Sequence, residues 1–478
     1  MPFVVHALGD RTYGIWTIVA GFAGYYAVLE LGFSTAINRH LSRALGSSDE
    51  DECNRVFNSA LGSCVVLGIV TLLLSGIMAA LVPTFSMTQE DVSLFRGLVL
   101  VLGLTVSIQL PMKLFAVVLE ANLGFDRTAV IEILSLILRS AFTVLVLVRG
   151  HGVVVMACVN LLSSVPGWLL YIYFFRSDLP FLRLQWNFWQ IGTTKALLSY
   201  SVYSLIAHLA DILRFRLDAV VVGAYVGFAA VTHYKIARVL TQVFILFMTS
   251  TMGVLAPVFS GQEGAQNYRA LKTTFLLASK ISVCTASFVG FGLVAWGKPF
   301  IIRWMGIGYS DAYPILVVLV LGCTFMLWQG PSVSLLYGTS RHKLFALFSS
   351  IEGVANLLLT LWLVHPLGML GVALGTCIPM TINKLFIQPV YVCRVAKIPY
   401  PEYVGKTART LAVVGSSLII PLALSLRFAT PDYRVLAAVG VLSLLLYAAP
   451  LWLLEFSGEE KVRVLRGILP KLAITDLD

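Results

Sequence analysis

Between Gly192 and Gly264 a largely apolar stretch carries an unusual density of charge: His208, Asp211, Arg214, Arg216 and Asp218, then Lys235 and Arg238 with the amide of Gln242. At about 100° per residue of an α-helix, His208, Asp211, Arg214 and Asp218 fall within an arc of about 120°, and Arg216 falls nearly opposite. Lys235 and Arg238, three residues apart, share a face of the next helix, continued by Gln242. A turn at Gly227 brings Asp218 level with residues near 237, at the depth of Lys235 and Arg238. Two chemistries fit this cluster. Asp211 with Arg214 and Asp218 with Arg238 can form structural ion pairs that let the helices insert and pack. Alternatively, Arg214, Lys235 and Arg238 form a cationic wall, since guanidinium forks suit phosphate oxygens, with the carboxylates holding the cations until an anion displaces them.

The rest of the sequence says what must hold these groups. Of 478 residues, 58% are hydrophobic and 12% charged, with a mean hydropathy of +0.87; a soluble domain carries roughly twice that charged share. This is the composition of an integral membrane protein. The net charge of +10 does not imply nucleic acid, because the basic residues are scattered among short loops, as membrane topology requires. Seven cysteines contain no CxxC pair and fall in or beside apolar runs, so they read as small core residues.

Apolar segments at about 14–37, 57–83, 94–119, 128–148, 152–175, 197–226, 230–256, 273–297, 312–336, 343–364, 368–392, 407–427 and 434–456 make about thirteen transmembrane helices. Alternate connections on one side hold most of the Lys and Arg, among them Arg39, Arg55, Arg127, Arg183, Lys272 and Lys406. The other side holds Arg11, Arg149, Lys298, Arg303, Arg427 and Arg434. The rich side is cytoplasmic, and so is the C-terminal tail.

An internal repeat is visible as well. VVHALGDRTYGIWTIVA parallels VVGAYVGFAAVTHYKIA, so that Gly9 and Trp16 correspond to Gly227 and Tyr234 at the outer start of a span. A whole span precedes Gly227, whereas eight residues precede Gly9. The repeat therefore leads us to expect that the first helix of the first half is missing from this sequence.

The run LGDRTYGIWTIVAGFAGYYAVLELGFSTAINRHLSRALG, with Leu8, Gly9, Tyr13, Gly14, Trp16, Glu30, Leu31, Gly32 and Arg39, resembles the second-helix signature of bacterial oligosaccharide-lipid flippases. These belong to the multidrug/oligosaccharidyl-lipid/polysaccharide superfamily, and RFRLDAVVVGAYVGFAAVTHYKIA resembles the seventh-to-eighth helix passage of the same family. The resemblance implies an all-α polytopic protein with two pseudo-symmetric six-helix lobes, the first lacking its first helix, around a central cavity, plus two C-terminal helices. Mapped onto this chain, the lobes are residues 1–190 and 191–398, and residues 399–478 form the two additional helices and the tail. It also implies an inner-membrane transporter that flips a lipid-linked (polyprenyl-pyrophosphate) oligosaccharide by alternating access for surface polysaccharide biosynthesis. Arg214, Lys235, Arg238 and Arg39 would bind substrate, and Glu30, Asp211 and Asp218 would couple an ion or pair with the cations. The expected partners are the lipid-linked oligosaccharide, membrane lipids and polysaccharide polymerase machinery. No cofactor and no nucleic acid are expected.

Other polar residues within spans (Glu132 and Arg139, Lys113 and Glu120, Glu352 and Asn356, Asn383 and Lys384) read as packing groups. Gly371-Val-Ala-Leu-Gly375 is a GxxxG pattern that permits close helix approach. Enzyme motifs such as a phosphate loop, HExxH or GxSxG are lacking. A membrane polymerase or ligase would be expected to present a sizeable external loop, and the longest outward one, near Lys298–Tyr313, has about fifteen residues. A multidrug antiporter of the same superfamily would favour an acidic cavity, whereas the stripe and its neighbour sum to two carboxylates against three cations.

The repeat makes a test available at the gene. In-frame coding sequence for an additional apolar stretch of about 20 residues is expected upstream of Met1, and sequencing the locus checks it. A stop codon just upstream of a gene with a working product would show the repeat to be misread.

Overall fold

The computed structural model describes residues 1–21, 37, 40–41, 44–45, 49–84, 88–122, 124–185, 188–195, 217–252, 255–339, 341, 343–427 and 432–462. Everything regular among them is helical. Packing divides the chain into two units, Met1–Thr232 and His233–Asp478.

The first unit contains α1 (Pro2–Leu8), α2 (10–21), α3 (Glu50–Leu81), α4 (Gln89–Ala121), α5 (Phe125–Val148), α6 (Val153–Asp178), α7 (Leu217–Tyr225) and the first turn of α8 (Phe228–Met252). α3 starts where Asp49 accepts the Glu52 N–H at 2.9 Å, with three carboxylates in its first turn facing the positive helix end. α4 starts at Thr88, whose hydroxyl donates to Asp91 at 2.8 Å. The two pack as an antiparallel pair because small residues meet: a Cβ added at Gly68 would lie 2.6 Å from the Ser107 carbonyl oxygen, and one at Gly103 would lie 2.2 Å from Ser75 Oγ. At the other end of this pair Phe57, Phe115 and Phe175 interlock, with Phe175 centred 5.0 Å from each partner ring. There Asn54 and Asn58, one turn apart on α3, grip the strand-like segment after α6. Asn54 Nδ2 donates to the Phe181 carbonyl and its Oδ1 accepts the Arg183 N–H; Asn58 does the same with the Arg183 carbonyl and the Gln185 N–H, all at 2.8–3.1 Å. An irregular segment beside an apolar bundle has no sheet to satisfy its backbone, and two amides supply what a neighbouring strand would.

The corners of the repeat are alike. α1 ends at Gly9 with φ +77°, and α7 leads into Gly227 with φ +124°, conformations that favour glycine. The alignment pairing Gly9 with Gly227 also pairs Asp10 with Phe228 and Gly14 with Thr232. The two contacts between these residues are reciprocal: Gly14 lies so close to Phe228 that a Cβ would sit 1.8 Å from its carbonyl oxygen, and Thr232 Oγ1 donates to the Asp10 carbonyl at 2.7 Å.

The second unit holds the remainder of α8, then α9 (Leu255–Gly264), α10 (Tyr268–Met305), α11 (Ala312–Trp328), α12 (Gly330–Gly338), α13 (Lys343–Ile382), α14 (Gln388–Val395), α15 (Tyr400–Ser417), α16 (Ile419–Arg427) and α17 (Tyr433–Leu454). α11 and α12 bend by 40° at Gln329. α13 is two arms of a hairpin, broken at Gly368 with φ +54° and ψ −133°. The GxxxG pair closes it: a Cβ on Gly371 would fall 2.0 Å from the Leu363 carbonyl oxygen, and one on Gly375 would fall 2.4 Å from Thr360 Oγ1. All seven cysteines are free thiols, six of them buried.

Among the described residues, eight helices are long and apolar enough to cross a membrane, or nine if the bent pair α11–α12 is one span. This is an all-α polytopic membrane protein. The count differs from the thirteen segments of the sequence for identifiable reasons. Segments 14–37 and 197–226 fall largely outside the described residues, α8 with its Lys235 and Arg238 is not counted, and Lys343–Val395 is counted once although Gly368 folds it back.

Gly371→Ala and Gly375→Ala are therefore expected to destabilise the protein by about 1–3 kcal/mol each, as forced overpacking does, lowering the melting temperature of the extracted protein. Gly415→Ala and Gly440→Ala, where an added Cβ meets nothing within 4 Å, should leave it unchanged. Equal melting temperatures for all four would refute the hairpin register.

Candidate functional site

Of the seven residues singled out by the sequence, Asp218, Lys235 and Arg238 are described, while Glu30, Arg39, Asp211 and Arg214 lie outside the described residues. Asp218 stands in the first turn of α7 and is 3% exposed, a carboxylate turned inward in the first unit. Lys235 and Arg238 belong to the second unit. They share α8 with Tyr234, Ile236 and Ala237, all buried, and are themselves half-buried. Their spacing sets ammonium and guanidinium side by side on one helix.

The structure also gathers polar residues that the sequence left as separate pairs. Folding α13 at Gly368 brings Glu352 of one arm against Asn383 beyond the end of the other, and the Asn383 amide donates to Glu352 Oε2. Lys384 Nζ lies 3.9 Å from the same oxygen, donates to Gln388 Oε1 at 2.8 Å and sits 5.0 Å above the Phe345 ring. Glu352, Asn383, Lys384 and Gln388 are all at most 3% exposed. Asn383–Ile387 form a π-helical turn, and such an inserted residue redirects side chains that a regular helix would place elsewhere. The available signal was the hairpin itself: a fold centred near Gly368 sets residue 352 opposite 383.

A different feature escaped the sequence reading altogether. In the first unit a cavity of about 1000 Å³ is walled mainly by apolar residues, including Ile18, Ile77, Phe95 and Val220. On its wall Arg11 grips buried Asp91 with both arms of the guanidinium, Nε to Oδ1 at 3.1 Å and Nη2 to Oδ2. Arg11 is thus a fixed member of an ion pair, clamped by the residue that also accepts the Thr88 hydroxyl.

A chain of packed apolar helices with charge embedded in them suits membrane transport, and comparison with known proteins narrows the class. The sequence profile of the polysaccharide biosynthesis protein family matches residues 8–314. The chain belongs to that family. A putative O-antigen transporter of Shigella flexneri is 22% identical over 401 residues, 82% of this chain and 92% of that protein. Among solved structures, an inward-facing MATE multidrug resistance transporter of the MOP superfamily superposes with a TM-score of 0.71 at 18% identity, over 83% of this chain and 93% of that one. The lipid II flippase MurJ in an inward closed conformation superposes with a TM-score of 0.67 at 15% identity, over 94% and 98%. This member of the polysaccharide biosynthesis protein family therefore shares its fold with transporters of the MOP superfamily.

In this family member the Glu352–Lys384 pair is a structural element before it is anything else. Removing one partner of a buried pair leaves the other uncompensated, at about 3–5 kcal/mol. Glu352→Gln alone should therefore sharply reduce the amount of folded protein, measured as monodisperse fluorescent fusion after extraction. Glu352→Gln combined with Lys384→Met should recover most of it. No recovery in the double variant would mean that the pair does more than neutralise charge.

Proposed function

We propose that this transporter moves a lipid-linked oligosaccharide, carried on a polyprenyl pyrophosphate, across the inner membrane by alternating access for surface polysaccharide biosynthesis. The observation that carries this reading is the pair of neighbouring cations, Lys235 and Arg238, kept half-buried on apolar α8. Cations within a span are retained where they serve a pathway or a partner, and two together match a pyrophosphate better than an organic cation. The name of the Shigella flexneri relative, a putative O-antigen transporter, points to the same class of cargo.

In this reading the chain has thirteen spans: a first lobe over 1–190, a second over 191–398, and two further helices with a cytoplasmic tail over 399–478. Arg39 and Arg214 join Lys235 and Arg238 as substrate ligands. Glu30, Asp211 and Asp218 hold the cations or couple an ion between transport cycles. Polymerase machinery acts on the flipped units.

Deleting the gene should stop a surface polysaccharide while lipid-linked repeat units accumulate on the cytoplasmic face. Units that are translocated but unpolymerised would instead assign the protein's role to a later step. Lys235→Ala and Arg238→Ala should lower export per folded molecule about tenfold or more, the loss of one charge-assisted hydrogen bond, with abundance near normal. If Asp218→Asn with Arg238→Gln exports like the parent, these charges serve packing, and the substrate assignment to Arg238 is wrong. Loss of resistance to organic cations with polysaccharide unchanged would favour a multidrug antiporter.

A further inference from the structure

The second unit contains a second polar site, small and remote in sequence from α8. α10, α15 and the turn after α17 enclose a cavity of about 330 Å³, at the lower end of the range for ligand pockets. It lies where an apolar span gives way to polar chain. The span α17 ends at Leu454, which is exposed together with Leu453, and the polar wall begins at the next residue, Glu455.

The charges of this cavity are organised by depth. Glu455 is 5% exposed; its Oε1 accepts the Thr410 hydroxyl at 2.7 Å and lies 3.6 Å from Lys280 Nζ. Lys280 is committed elsewhere as well, donating to the Glu455 carbonyl and to both Glu460 oxygens at 3.0 Å. Burial pushes the Glu460 carboxyl up, but the Ser457 N–H and Lys280 together hold it below the usual carboxylate range, so it stands ionised against Lys280. Two acceptors on the wall are left over. Among the described residues, Glu455 Oε2 and the buried Ser279 Oγ make no hydrogen bond, and the nearest ionic partner of Glu455 Oε2 is Arg409 Nε at 3.9 Å. Toward the solvent side stand Arg409 and Lys406, both largely exposed, Lys406 also meeting Glu402 at 3.0 Å.

We infer that this cavity binds the zwitterionic headgroup of an aminophospholipid from the surrounding bilayer, its primary ammonium donating to Glu455 Oε2 and Ser279 Oγ and its phosphate facing Arg409 and Lys406. A simple anion does not fit, because it would set its charge against an unsatisfied carboxylate oxygen and offer no donor. A simple cation does not fit either, since Arg409 and Lys406 guard the mouth. A molecule with an ammonium group at one end and a phosphate at the other satisfies both layers, and exposed Leu453 and Leu454 lie beside the path of its acyl chains. The cavity is too small for a sugar repeat unit together with its carrier, so the assignment is independent of the transported substrate.

The test is lipid binding by native mass spectrometry, with purified full-length transporter titrated with phosphatidylethanolamine, phosphatidylcholine or phosphatidylglycerol of matched acyl chains. Trimethylation in phosphatidylcholine keeps the positive charge and removes every N–H donor. One site should prefer phosphatidylethanolamine over both others by about tenfold, the value of one charge-assisted hydrogen bond. Glu455→Gln should erase that preference. Ser279→Ala should reduce it, and Arg409→Gln should weaken all three lipids alike. Glu455 also anchors Thr410 and Lys280, so if Glu455→Gln fails to fold, the exposed Arg409→Gln and the small Ser279→Ala decide the matter. Equal binding of phosphatidylethanolamine and phosphatidylcholine overturns the proposal. So does unchanged binding in Arg409→Gln, or phosphatidylglycerol binding as tightly as phosphatidylethanolamine, which would mark a site for phosphate alone.

Discussion

A helix in hydrocarbon gains little by hiding its apolar side chains, because the lipid is as apolar as its neighbours, so the helices of this membrane protein must be held by close approach and by polar groups. The structure follows that constraint throughout. Gly68 on Ser107, Gly103 on Ser75, Gly371 on Leu363 and Gly375 on Thr360 are places where one helix backbone meets another residue at a separation that no larger side chain allows. Where the chain leaves regular helix, polar side chains finish its backbone, as Asn54 and Asn58 do for residues 181–185. The reciprocal contacts of Gly14 with Phe228 and Thr232 with Asp10 belong to the same economy. They join the two copies of the sequence repeat through equivalent positions.

Much of this was legible in the sequence because its physical cause is local. The apolar periods gave the helices, glycines with positive φ stand at both repeat corners, and the GxxxG pair sits in a helix contact. What was hidden depends on register between distant segments. Nothing near Arg11 announces Asp91, eighty residues away, and nothing near Lys280 announces Glu455 or Glu460. Glu352 and Lys384 were each visible as polar residues in a span. Their meeting required both the fold at Gly368 and the π-turn at Asn383, and a π-turn has no sequence pattern comparable to a cap or a heptad.

The ionisable residues of the second unit fall into two kinds, and burial separates them. Lys384 is 2% exposed, with a carboxylate, an amide and an aromatic ring arranged around its ammonium. For such a lysine to accept a substrate phosphate it would have to abandon Glu352, leaving a bare carboxylate in the same dry space, and the penalty of several kcal/mol would cancel what the phosphate contributes. A residue held in this way can build a site but not serve as its ligand. Lys235 and Arg238, half-buried on α8, keep part of their surface accessible, so an incoming anion can meet them at that surface. That difference in accessible surface is the physical reason for proposing Lys235 and Arg238, and not Lys384, as ligands of the cargo.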